Sequence, residues 1–205
     1  MYHGERLNTF SHLIGAIAAV IGLVVLLVSA AVKTSAIAVV SVSVYGSTLV
    51  LLYTASTLYH SVKGRLKPLF QKIDHLAIYG LIAGTYTPFT LITLQGPSGW
   101  TLFGVVWGLA VLGMVIEFLP FDRKRILPVI IYLAMGWSIV FALDPLLTAL
   151  PQLGIWGLVA GGVTYTLGVI FYAFGDRIPH GHGIWHFFVL GGSLFHYFTI
   201  LFFVL

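Results

Sequence analysis

The sequence predicts an all-α membrane protein, a bundle of seven transmembrane helices. Two observations carry that prediction. Hydrophobic residues make up 59% of the 205-residue chain and charged residues only 8%, whereas water-soluble domains run near about 45–50% apolar and about 25% charged. Seven stretches also reach the roughly 20 mainly apolar residues that a bilayer crossing requires. Residues 1–205 read as a single seven-helix transmembrane domain. There is no cysteine, so disulfides and thiolate metal sites are excluded, and a transition metal has to be held by His, Asp or Glu. The net charge of +4 is too small and too dispersed to suggest nucleic-acid binding.

The first span is expected at about Phe10–Val32, after a polar head containing Glu5, Asn8 and His12. Val28-Ser29-Ala30 could precede a signal-peptide cleavage point. The apolar run is long for that role, though, and Glu5 offsets Arg6 in front of it, so a retained helix is expected. The second span covers about Ala36–Tyr59. The third covers about Ile73–Leu94 and contains Pro88, which is expected to kink it. The fourth, fifth and sixth cover about Trp100–Leu119, Ile126–Leu147 and Gly154–Phe174. The seventh, about Gly183–Leu205, follows His182. The pairs Gly104/Gly108, Gly161-Gly162 and Gly191-Gly192 read as close helix packing. Trp100, Trp156 and Trp185 fall near span ends and read as interfacial anchors.

The basic residues give an orientation. Arg6, Lys63, Arg65, Lys67, Lys72, Arg123, Lys124, Arg125 and Arg177 fall on one side of a seven-span topology, and only Lys33 falls on the other. The positive-inside rule then places the amino terminus in the cytoplasm and the carboxyl terminus outside.

Ionisable residues inside a membrane are functional candidates by default, and here they gather at the cytoplasmic helix ends. His182 and His186 are four apart, so on a helix they share a face. Ser56 and His60 share a face at the end of span two, and Asp74 starts span three. Glu5, Asn8 and His12 form one stripe at the head of span one. Three neutral imidazoles, His60, His182 and His186, would form a facial set suited to Zn²⁺, with the fourth position left to water as in catalytic zinc sites. Zinc lowers the pKa of water and polarises a carbonyl. A carboxylate must then move the proton, and Asp74 is placed to do so, with Ser56 in support. His196 lies about 15 Å deeper than His186 at 1.5 Å per residue, too far to share the metal, and reads as a buried hydrogen-bonding or channel residue. Glu5, Asn8 and His12 either orient the metal-bound histidines or lock span one against its neighbours, the second being preferred. His3, His75 and His180 read as headgroup-level side chains, Asp144 and Glu117 as solvated or packing residues, and Asp122 to Arg125 as a solvated topogenic cluster.

Three motifs resemble those of the progestin and adipoQ receptor family, in its bacterial, hemolysin III-like branch. They are Glu5-Arg6-Leu7-Asn8-Thr9-Phe10-Ser11-His12; Ser56-Thr57-Leu58-Tyr59-His60 with Asp74 beyond it; and His182-Gly183-Ile184-Trp185-His186 with His196 beyond it. The resemblance implies a multi-pass protein of the bacterial plasma (inner) membrane, with zinc on His60, His182 and His186. Alkaline ceramidases share the Ser, His, Asp and His-x₃-His arrangement and hydrolyse a lipid amide. By that similarity the expected activity is hydrolysis of lipid amides or esters, with a membrane lipid as substrate. Two alternatives are a ligand-sensing or membrane-homeostasis protein with structural zinc, and a hemolysin III-type cytolytic protein.

Overall fold

A computed structural model describes residues 3–32, 35–119 and 125–205, without the side chains of His3 and Asp176. Lys33, Asp122, Arg123, Lys124 and the imidazole of His3 therefore lie outside the described residues. All regular structure among the described residues is helical: α1 (Arg6–Val32), α2 (Ala36–Ser61), α3 (Lys67–Pro88), α4 (Gly96–Ile116), α5 (Ile126–Trp137), α6 (Leu143–Ala149), α7 (Gln152–Ala173) and α8 (Gly181–Thr199). Seven stretches are long and apolar enough to cross a membrane, α5 and α6 together forming the fifth. The protein is a multi-pass membrane protein.

The helices form because each is a long apolar run with no water to compete for its backbone, and only closed hydrogen-bonding patterns survive in lipid. Ser35 starts α2 by accepting a hydrogen bond from the Ala38 N–H at 3.3 Å, satisfying one of the donors that a helix start leaves unpaired. On α1 the buried residues are Asn8, Thr9, Ser11, His12, Gly15, Ala19, Leu26 and Ala30, all but Thr9 on one stripe of a helical repeat. The opposite face presents Ile14, Ile17, Ile21, Val24 and Val28 outward, a surface that only lipid makes favourable. The central helix is α3, whose span is the most buried of the seven. It contributes to both hydrophobic clusters, one built with α1, α2 and α8 and the other with α4 and α5.

Local structure departs from regular helix at Pro88, and several other local expectations are corrected. Pro88 closes α3, and the chain continues through it as a π-helix over Phe89–Leu94. Proline lacks the N–H that the regular ladder would use, and the wider turns absorb the loss. The fifth span is not one helix. It breaks into a 3₁₀ segment at Ser138–Ala142, because the Tyr86 hydroxyl inserts there, donating to the Gly136 carbonyl at 2.8 Å and accepting from the Ile139 N–H at 2.9 Å. Gly104 and Gly108 face open space rather than a helix, since α4 lies at the edge of the bundle. Gly161 and Gly192 do make close approaches, to His196 and Tyr165. Trp100 and Trp156 are exposed, but Trp185 turns inward and packs on Tyr172 with ring centres 5.3 Å apart.

Arg125 is only partly solvated, its side chain 26% exposed. It sits in the left-handed region (φ 55°) at the start of α5, and its guanidinium donates to both Glu117 carboxylate oxygens at 2.8 and 3.1 Å and to the Tyr172 hydroxyl at 2.7 Å. Burial works against its charge, but the Glu117 pair outweighs this and pushes its pKa above the usual value. Glu117 is thereby a packing residue, His75 lies 3.8 Å from it and is mostly buried, and His180 and Asp144 are exposed.

Candidate metal centre

The up-and-down arrangement returns three helix ends to one end of the bundle. The last turn of α2 delivers His60, the first turns of α8 deliver His182 and His186, and the start of α1 delivers Glu5, Asn8, Ser11 and His12. His60 and His186 are 2% and 1% exposed, and imidazoles so deeply buried need partners. One ring nitrogen from each of His60, His182 and His186 lies within 4.8 Å of the others. The three ring centres are 4.8–5.0 Å apart. This buried triad can hold a metal ion.

The donor set fits that use. His60 Nδ1 lies 2.6 Å from Glu5 Oε2. A carboxylate only accepts, so Nδ1 carries the proton and Nε2 keeps its lone pair. His186 Nδ1 lies 3.1 Å from the Asn8 carbonyl, again an acceptor, and 3.1 Å from Ser11 Oγ. Its Nε2 is likewise left with a lone pair. His60 Nε2 faces His182 Nε2 at 3.2 Å, and two such nitrogens can approach only around a shared proton or a cation. An oxygen acceptor on the remote nitrogen is the usual arrangement that orients a metal-bound histidine.

Glu5 is the hub. It accepts from Asn8 Nδ2 at 2.9 Å and from Lys67 Nζ at 3.2 Å in addition to His60. Burial raises its pKa, but the Asn8 hydrogen bond, the charge and hydrogen bond of His60 and the Lys67 contact outweigh that and hold it at about 2. It is therefore ionised at any ordinary pH. The same contacts fasten the start of α1 to α2 and α3. His12 stacks flat on His186, centres 3.6 Å apart and planes 8° apart, and meets Tyr53 edge-on at 5.0 Å. Neither of its ring nitrogens finds a hydrogen-bond partner among the described residues.

Asp74 is not in the triad. Its side-chain partner is Ser56, one helical turn below His60. His196 is apart as well, buried against α7 with Nε2 3.2 Å from the Leu158 carbonyl. On the deeper side of Ser56 and Asp74 lies an apolar cavity of about 120 Å³, partly open to the outside of the bundle and lined by residues of α2, α3, α5, α7 and α8. No triad histidine lines it. Leu52 and Ile78 do, each four residues from Ser56 and Asp74 on its own helix and so on the same face, and so does Trp185, the neighbour of His186. His196 lines it at mid-depth.

Sequence reasoning missed Ser11, although Asn8 and Ser11 are three apart and so share a face. It used Lys67 only as a topological charge, and nothing in the local pattern marks Lys67 as the partner of Glu5.

Comparison with known proteins agrees with the motifs. A family model described as "Haemolysin-III related" matches residues 1–197. Hemolysin-3 of Bacillus cereus is 45% identical over 202 residues, covering 98% of this chain and 92% of that protein. The Hemolysin-3 homolog of Bacillus subtilis (strain 168) is 43% identical, covering 97% and 93%. The monocyte to macrophage differentiation factor of Homo sapiens is 31% identical over 163 residues, covering 77% and 67%. With the model spanning nearly the whole chain and relatives this similar, the chain belongs to the haemolysin-III-related family of the progestin and adipoQ receptor proteins.

Proposed function

We propose that the protein is a zinc-dependent intramembrane hydrolase of lipid amides or esters, seated in the bacterial plasma membrane with its amino terminus and histidine cluster on the cytoplasmic side. The observation that carries this reading is the sequence of levels along α2. His60 belongs to the triad, Ser56 one turn deeper lies beside Asp74, and Leu52 one turn deeper again lines the apolar cavity. A lipid with its chain in the cavity would present its head group between a carboxylate and three imidazoles.

His60, His182 and His186 would hold the ion, with Glu5 and Asn8 fixing which nitrogen each buried imidazole offers. Zinc, when bound, polarises the carbonyl and lowers the pKa of a neighbouring water. Asp74 then accepts the proton from the attacking water and returns it to the departing amine or alcohol. Ser56 keeps the carboxyl turned toward the histidines. The apolar walls exclude bulk water, which strengthens these charges.

The test is metal content and lipid-amide hydrolysis on the detergent-purified protein. Wild type should carry one zinc per chain and turn over a long-chain amide. Asp74→Asn should keep the zinc and lose turnover, and His186→Ala should lose both. Zinc without turnover on any amide or ester, and a lowered melting temperature on chelation, would instead favour a sensing protein with structural zinc. That second reading is favoured by the way the same hydrogen bonds tie α1, α2 and α8 together. A third reading, cytolysis, is suggested by the name of the Bacillus cereus relative. It predicts lysis by purified protein that is indifferent to His186→Ala.

A further inference from the structure

We infer that His12 is a positioning residue of the metal centre, lying flat on His186 and stabilising that imidazole in the electron-poor state that a bound cation imposes on it. The inference rests on the proposed use of His60, His182 and His186 as ligands, and not on hydrolysis. The rings of His12 and His186 face each other with centres 3.6 Å apart and planes 8° apart. Two neutral aromatic rings avoid that arrangement, because their faces carry like partial charge. They settle instead edge-to-face or offset, with centres about 4.5–7 Å apart. The contacts within the triad follow the ordinary pattern, the three rings being inclined by 55–68° with centres 4.8–5.0 Å apart. The flat pair is the exception.

Such a pair becomes favourable when one ring is electron-poor and the other electron-rich, the same attraction that draws a cation to an aromatic face. Position assigns the two roles. His186 Nδ1 is turned to the Asn8 carbonyl and to Ser11, which leaves Nε2 for the ion, and a cation there withdraws charge from the whole ring. His12 is 3% exposed, and neither of its nitrogens has a hydrogen-bond partner among the described residues. A charge buried without a partner is costly, so His12 is the neutral, electron-rich ring. Tyr53 packs edge-on against it at 5.0 Å and is itself anchored to Ser193 at 2.8 Å.

Helix α1 therefore contributes to the site without supplying a ligand. It holds the edge of the His186 ring through Asn8 and Ser11, and the face of that ring through His12. Asn8 and His12 are four residues apart and so lie on one side of α1.

The test separates the face of His12 from its nitrogens. Zinc affinity by competition with a chelator, and the thermal midpoint with and without zinc, are measured on detergent-purified wild type, His12→Leu, His12→Gln and His12→Phe. His12→Leu removes the aromatic face and should lower zinc affinity about twofold to thirtyfold, the range for one cation over an aromatic ring. His12→Gln, polar but without a ring, should fall alike and serves where the leucine variant does not fold. His12→Phe keeps a face without the nitrogens and should retain most of the wild-type affinity. The rise in midpoint on adding zinc should shrink in the first two variants and persist in the third. Unchanged affinity in His12→Leu and His12→Gln would overturn the inference. So would an equal loss in all three variants, which would assign the effect to the nitrogens, or zinc-free midpoints that fall while zinc adds the same rise to every variant, which would leave His12 a packing residue. Wild type that takes up no zinc would overturn the metal site and this inference together. Absence of turnover in a protein that passes these zinc tests would strike the proposed hydrolysis alone.

Discussion

The two sides of the bundle solve different problems with the same material. Around α1, α2 and α8 the helices are continuous, and polar groups are paired across them: Glu5 with His60 and Lys67, His186 with Asn8 and Ser11, Tyr53 with Ser193 at 2.8 Å. Around α5 the span is broken and a cavity takes the place of packing. Buried polar networks are rigid when every member is satisfied, whereas an empty apolar volume forfeits contacts. The comparison teaches where precision is spent. The three imidazoles that could hold an ion sit on unbroken helices, and the cavity lies beside a span that is broken and carries none of them.

The largest expected effect breaks the first region without touching the second. His60→Ala, His182→Ala or His186→Ala should each remove the metal entirely, read by elemental mass spectrometry, while the affinity for a fluorescent fatty acid in the cavity stays within about twofold, a difference small beside tenfold per 1.4 kcal/mol. Next, Glu5→Gln keeps the size of the side chain but weakens its hold on His60. Zinc affinity by competitive chelation should fall about 10-fold to 100-fold, as for other partners of metal-bound histidines. The complementary change, Tyr86→Phe, strikes the second region. It leaves the Ile139 N–H and the Gly136 carbonyl without their partner and should cost about 1–3 kcal/mol, measured as a lowered thermal midpoint with metal content unchanged. Smallest is Gly104→Ala. The added Cβ meets nothing, so stability should change by less than about 1 kcal/mol. A large loss there would show that α4 has a packing partner.

Much of the fold was legible because composition and span length are properties of the chain alone. So was the meeting of His60, His182 and His186, since alternating spans with short connections return those ends to one side. What was not legible depends on how each helix is rotated about its axis. Trp185 looks like an anchor by position, yet faces Tyr172. Arg125 looks solvated among its charged neighbours, yet a left-handed residue at the start of α5 turns it back to Glu117. The break in the fifth span comes from Tyr86, 53 residues away from Ile139, and no local pattern announces it. Asp74 was expected at the start of its helix, yet α3 begins at Lys67 and so carries Asp74 about two turns inside, beside Ser56.

One feature of the triad bears on how the protein is made. His60 and His182 are 122 residues apart, and Glu5 and Asn8, which orient the ring nitrogens, are translated before either. Synthesis proceeds from the amino end at about 5–20 residues per second, so the pocket cannot close until α8 has left the ribosome and entered the bilayer. Any metal loading would therefore be a late event that reports completed insertion, and a chain stalled before α8 would display His60 and Glu5 as an open, unfinished half-site to whatever surveys the membrane for incomplete proteins.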